Sequence, residues 1–289
     1  MGSIKSRATI LNILGNITLF LVKVIVGILY NSIVIISDAL NSLMDIISSG
    51  IIYLSVKVSS ESADKDHPFG HKRAEPIAAL IVAVLTFFVG FEVIQTAFER
   101  LITKTASQFG IIPLIVLFSV ILTKLVMYLY STKIGKETNS TAILASAIDN
   151  RNDVIVSFTA IVGFLGSHFS FAFFEPVAAM LIGLWIIISG FNIGIKNLKF
   201  LMGEAPKKEL LEKIRNAALK VKGVKGIQEV KAHYVGTSVQ VEVHIAVDRN
   251  LTIYRAHTLG RKVEKEVEKL QEVEKAFVHI DPIIKSRPH

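Results

Sequence analysis

Ser37-Asp38-Ala39-Leu40-Asn41-Ser42-Leu43-Met44-Asp45 and Ser146-Ala147-Ile148-Asp149-Asn150-Arg151-Asn152-Asp153 each place two oxygen-bearing side chains four residues apart, inside stretches that otherwise read as lipid-embedded helices. Asn41 and Asp45 therefore stack on one helix face, and so do Asp149 and Asp153. A carboxylate at membrane depth costs roughly 2.5–3.5 kcal/mol on insertion scales. Three of them in two helices demand a compensating cation, and the four side chains together make an oxygen-rich metal site. The alternative is that they hydrogen-bond neighbouring helices. Arg151 falls between the two aspartates in sequence, but the helical period turns it to another face.

Outward from these pairs, the composition is that of a polytopic membrane protein with a modest soluble part. The 289 residues are 51% hydrophobic, with a mean hydropathy of +0.53. Six apolar stretches, at 9–30, 33–57, 76–101, 111–131, 143–166 and 172–195, are long enough to cross about 30 Å of hydrocarbon. The first contains Lys23 and lacks a small-residue cleavage site, so it reads as a retained helix and not a secretory signal. Lys57, Lys65, Lys72 and Arg73 mark the link after the second span. Lys133 and Lys136 follow the fourth, and Lys196, Lys199, Lys207 and Lys208 the sixth. Arg100 and Lys104 are the exception. The positive-inside rule then puts both termini and the 57–75 and 131–141 links in the cytosol. Chains without targeting signals or long loops fit a cytoplasmic membrane best. The absence of cysteine excludes disulfides and thiolate metal sites.

Beyond residue 204 the pattern changes. Residues 1–204 read as a six-helix transmembrane domain and 205–289 as a cytosolic α+β domain. Helical periodicity covers 207–221 and 252–270. Residues 224–235 and 237–247 read as strands joined at Gly236, with Val239, Val241, Val243 and Ile245 alternating, and 273–280 as a last strand. The order αββαβ suggests a small two-layer fold. The net charge is +8 overall, and 17 basic against 11 acidic residues from Pro206 to His289 leave +6 in this tail. Its charges alternate in sign over 261–269, as on a solvated helix face, so a basic domain held near anionic lipid accounts for it more simply than nucleic-acid binding.

Carboxylate and amide oxygens suit Mn²⁺ or Mg²⁺, whereas Zn²⁺ usually recruits nitrogen or sulfur. Metal release would crowd three carboxylates in poor solvent, a situation that proton uptake relieves, and metal capture would expel those protons. This is proton–metal antiport in outline. No Walker-type loop is present, so ATP does not drive the protein directly. The chain reads as a transporter without an enzyme's machinery or a resident cofactor.

With the paired positions, the six spans and the basic tail in view, the chain resembles the cation diffusion facilitator family. His67-Pro68-Phe69-Gly70-His71-Lys72-Arg73-Ala74-Glu75 is similar to that family's cytosolic link after the second helix. Glu175-Pro176 and Leu201-Met202-Gly203-Glu204 match around the sixth span. The resemblance implies a homodimeric exporter with a metallochaperone-like (ferredoxin-like) cytosolic domain. It implies a transport site at Asn41, Asp45, Asp149 and Asp153, a set similar to the family's manganese-carrying branch; zinc-carrying members have His at one or more of these positions. Mn²⁺ is thus the expected ion, with Fe²⁺, Co²⁺ or Zn²⁺ behind it. The resemblance also implies a cytosolic-domain metal site at His244, His257, His279 and Asp281, with Gln228 a poor ligand in a fifth slot. A loop site at Asp64, His67 and His71 is implied as well. Against the loop site stands a plain turn set by Pro68 and Gly70, which argue against a helix there. His244 and His279 read equally as surface residues.

Among the remaining polar residues, Asp38 is expected to line the exit path or to cap a helix, Glu92 to bond a neighbouring helix, and Lys124 to snorkel or pair with a carboxylate. Two other classes of function are open. An intramembrane aspartyl protease also needs two aspartates on separate helices, but the glycine-rich surroundings of such residues are missing. A metal-responsive sensor would need an output domain that the sequence does not offer.

Overall fold

The computed structural model describes residues 2–105, 107–137, 141–169, 173–236 and 238–283. The chain forms two compact units, one of Met1–Ile51 with Ile81–Gly194 and the other of Ile52–Leu80 with Ile195–His289.

Six long helices lie where the apolar stretches predict them: α1 (Gly2–Leu29), α2 (Ile33–Ser59), α3 (Ala74–Thr103), α4 (Ile111–Glu137), α5 (Thr141–His168) and α6 (Phe174–Leu201). Pro76, Pro113 and Pro176 each sit in the first turn of a helix, where the missing N–H has no partner to lose. Among the described residues, α2, α3, α4 and α6 are long and apolar enough to cross a membrane by length and composition, and Ile13–Leu29 of α1 is a shorter apolar helix. α5 is the polar one, because it carries Asp149, Arg151 and Asp153.

In the first unit one apolar cluster draws on all six helices. Val26, Ile33, Ala97, Leu117, Val156, Phe164 and Ile182 belong to it. Small residues bring backbones together: a Cβ on Gly90 of α3 would lie 2.8 Å from the Gly183 carbonyl of α6, and one on Gly163 of α5 would lie 2.3 Å from the Ala178 Cβ. Close approach of this kind replaces the hydrophobic drive that helices lack in lipid. The opposite faces are apolar and open, as Phe87, Phe88 and Phe91 of α3 show. The α1–α2 turn is fixed at Asn31, whose φ is 50°. Arg100 donates to its carbonyl at 2.6 Å and to its Oδ1 at 2.8 Å. The Ser32 hydroxyl donates to Glu175 of the Glu175-Pro176 pair at 2.5 Å, with both residues buried.

The second unit contains the tail, with α7 (Lys208–Leu219), β1 (Gly226–Val235), β2 (Ser238–Val247), α8 (Ile253–Val267) and β3 (Val273–Pro282). The order αββαβ is as the periodicity indicates. β2 is central, antiparallel to β1 and parallel to β3. Val239, Val241, Val243, Ile245 and Val247 alternate inward along β2 and are buried against Ile214, Ala218, Val263 and Val267 of the two helices. Gly236 turns the β1–β2 hairpin with φ +63°, and a Cβ there would lie 2.3 Å from the Lys72 carbonyl of the 57–75 link. Lys72 also donates to the Ser238 hydroxyl at 3.0 Å and pairs with Glu274 at 2.9 Å.

Gly236→Ala combines a left-handed backbone with a backbone clash, so it should destabilise the full-length protein by about 1–3 kcal/mol. Gly50→Ala, with nothing within 4 Å of the added carbon, is the matched control. Thermal unfolding of the two variants beside the wild type measures the difference.

Candidate metal centres

One residue of the α2 pair meets one of the α5 pair. The Asn41 amide Nδ2 donates to Asp153 Oδ1 at 3.1 Å. The other oxygen of Asp153 accepts from the Lys124 ammonium of α4. Asp45 lies within electrostatic reach of Asp153, Asp149, Lys124 and Lys23, and Asp149 within reach of Asp153 and Lys124. Asp153 is buried, Asn41 and Asp45 are half-buried and Asp149 is exposed. The three carboxylates do not gather within 4.8 Å of one another; the oxygens of Asp153 instead face Asn41 and Lys124. Arg151 is exposed and, among the described residues, bonds its neighbour Asn152 at 3.4 Å.

Lys124 thus pairs with a carboxylate, one of its two expected roles. It also donates to Asn16 Oδ1 of α1 at 2.6 Å and lies 3.5 Å from Asn150 Oδ1. Asp38 neither caps a helix nor stands alone. It forms a fully buried ion pair with Lys23 at 2.9 Å, its other oxygen accepts from Ser157 at 2.9 Å, and Lys23 also donates to Ser42 at 3.1 Å. The pairing of Lys23 with Asp38 was missed from sequence, though the signal was present. The two residues stand eight before and seven after the turn residue Asn31, so an antiparallel hairpin sets them at one depth. Glu92 corrects another expectation: it is exposed on α3 and makes no hydrogen bond or ion pair among the described residues. The apolar faces of α3 leave that position outside the bundle.

Two further clusters lie in the second unit. In the 57–75 link, Asp64 Oδ1 stands 3.4 Å from His67 Nδ1, and Asp64 Oδ2 stands 3.4 Å from His71 Nε2. The segment is not helical, as Pro68 and Gly70 require; Gly70 has φ +80°. The turn itself brings the histidines together, with ring centroids 4.4 Å apart, so a turn and a ligand set coincide. His71 Nδ1 is buried and has no hydrogen-bond partner. The His67 backbone N–H donates to Asp64 at 2.5 Å. With the nearby His71 and His67 rings, this bond holds the Asp64 carboxyl below its ordinary range.

In the tail, His244 and His279 are register partners on the parallel strands β2 and β3. Their rings lie 4.6 Å apart, and Asp281 bridges them, at 3.4 Å from His244 Nδ1 and 3.3 Å from His279 Nε2. One donor atom from each of the three falls within 4.8 Å of the others. His257 does not join them: it is exposed on α8. Gln228 is also exposed, at the β-bulge of β1.

Residues 9–202 match the cation efflux transmembrane domain and residues 206–283 the cytoplasmic domain of cation efflux proteins. The chain belongs to the cation efflux family and is a multi-pass divalent-metal efflux transporter with a cytoplasmic domain. It is 36% identical over 275 residues to an uncharacterized transporter of Methanocaldococcus jannaschii, covering 95% of this chain and 97% of that one. It is 28% identical over 274 residues to the manganese efflux system protein MneS of Bacillus subtilis, covering 95% and 94%. It is 29% identical over 258 residues to the magnetosome protein MamB of a Magnetospira strain, covering 87% of each.

Because the folded Asp64 carboxyl titrates below its ordinary value, the bond from the His67 amide should persist as pH falls through the usual carboxylate range. It should be lost only as pH falls through the lowered value. Asp64→Ala, which has no acceptor, should lose that protection at every pH. Hydrogen exchange at the His67 amide of the full-length protein tests both.

Proposed function

We propose that the chain exports Mn²⁺ from the cytosol in exchange for protons, by alternating access, with Asn41, Asp45, Asp149 and Asp153 as the transport ligands. The observation that carries the reading is the Asn41–Asp153 hydrogen bond, which ties the two polar helix faces to each other. A wholly oxygen set on facing helices favours Mn²⁺ over Zn²⁺. The likeness to MneS, a manganese efflux protein, supports the same ion; Fe²⁺, Co²⁺ and Zn²⁺ follow as runners-up. Proton coupling rests on Asp45, Asp149 and Asp153 lying within electrostatic reach of one another, a repulsion relieved either by a divalent ion or by protons. The chain works as a homodimer, a state the match to the cytoplasmic-domain family favours, in the cell membrane with both termini in the cytosol. The His244–His279–Asp281 and Asp64–His67–His71 clusters serve as cytosolic positions where metal adjusts activity, with His257 supplied to the former across the dimer. The contacts of Asp153 with Lys124 and Asn41 favour a transport ligand over a proteolytic aspartate.

Two experiments follow. In proteoliposomes with an imposed pH gradient, Asp153→Ala and Asp45→Ala should reduce Mn²⁺ flux by at least about a hundredfold, because loss of even a metal's outer partners costs about 10–100-fold. Asn41→His should move preference toward Zn²⁺. Unchanged flux in both aspartate variants would sink the assignment. In the second, His244→Ala or His279→Ala should raise the metal concentration needed for activation by about tenfold and leave transport at saturating metal intact. Abolished transport at saturation would contradict a regulatory role.

A further inference from the structure

We propose that Lys124 is a tethered competitor of the transported cation: a divalent ion can engage Asp153 only by displacing the Lys124 ammonium, and the retained positive charge keeps binding weak enough for release. The proposal rests on the reading of Asp153 as a transport ligand.

Three observations carry it. Lys124 is 1% exposed, so its ammonium has no water to fall back on and depends on its protein partners. Its three N–H donors face three oxygens, on Asp153, Asn16 and Asn150. Both oxygens of Asp153 are already taken by donors, Oδ1 by the Asn41 amide and Oδ2 by Lys124. Each oxygen keeps a further lone-pair site, so what opposes a metal ion is the charge of the ammonium beside the carboxylate. Two cations also cannot share one carboxylate in a poorly solvated interior without strong repulsion. Loading therefore requires the Asn41 amide to turn its oxygen inward and the ammonium to withdraw. The Asn16 and Asn150 carbonyl oxygens give it somewhere to withdraw to without being stranded.

Charge counting gives the same picture. Asp38, Asp45, Asp149 and Asp153, when ionised, carry −4, and Lys23 and Lys124 return +2. The remaining −2 matches one divalent ion. Without Lys124 the same cluster carries −3 and overbinds a divalent cation. A lysine acting only as glue between α4 and α5 would have the opposite signature, because its removal would loosen the site and weaken binding.

The test uses the full-length protein in nanodiscs for Mn²⁺ calorimetry and in proteoliposomes for flux, with melting temperatures recorded in parallel. Lys124→Met should bind Mn²⁺ at least about tenfold more tightly while its maximal flux falls, and Lys124→Arg should restore weak binding. Lys124→Gln, neutral but still hydrogen-bonding, should behave as the methionine variant does. Affinity equal to or weaker than wild type in a folded Lys124→Met or Lys124→Gln protein overturns the proposal, and so does failure of both to fold. Asp153→Ala separates the two readings. If it still binds Mn²⁺ normally, the transport-site assignment fails; if it loses binding while the lysine variants bind like wild type, only the competitor role fails.

Discussion

A charge inside a lipid-embedded bundle must find its opposite, and here two lysines answer two aspartates from neighbouring helices. Lys23 on α1 holds Asp38 on α2, and Lys124 on α4 holds Asp153 on α5. Removing one partner of a buried pair strands the other at a cost of about 3–5 kcal/mol, so these pairs fix the relative depth of the helices as firmly as apolar packing does. The carboxamides and hydroxyls of Asn16, Asn41, Ser42 and Ser157 complete the set. Helices α1, α2, α4 and α5 are thereby joined by polar contacts. α3 and α6 instead meet at glycines, where backbone lies against backbone. The side chains proposed as transport ligands lie on α2 and α5, beside partners from α1 and α4.

Much of this was legible in the sequence, for physical reasons. Hydropathy fixes helices in lipid because no other element can satisfy its own backbone there. The strict alternation along β2 reports a sheet with one buried face. The spacing of Asn41 with Asp45, and of Asp149 with Asp153, names a helix face outright. Partnerships were harder, because a spacing rule within one helix says nothing of the helix beside it. Even so, hairpin geometry offered a clue. Lys124 stands 13 residues before the end of α4 and Asp153 stands 12 residues after the start of α5, so an antiparallel pair brings them level. The same depth-matching applies to Lys23 and Asp38.

The two histidine clusters of the second unit show a different limit. Periodicity gave no reason to join Asp64, His67 and His71, since a helix is barred by Pro68 and Gly70. The tight turn that replaces the helix does the joining. His244 and His279 are 35 residues apart and meet only because β3 returns parallel to β2 in that register. Such a meeting depends on a crossover through α8, which local pattern does not encode. His257 and Glu92 both stay on outer surfaces of their own chain, and nothing in their immediate sequence separates them from residues that turn inward.

Gly236 has no side chain, so the tip of the β1–β2 hairpin rests directly on the main chain at Lys72, while the Lys72 amine grips Ser238 and Glu274 from the other side. Lys72 lies two residues before α3 begins. The hairpin tip of the sheet thus contacts the chain two residues before the first turn of α3. Residues 52–80 therefore belong to the same compact unit as the tail, and the hairpin tip closes against the stretch that leads into α3.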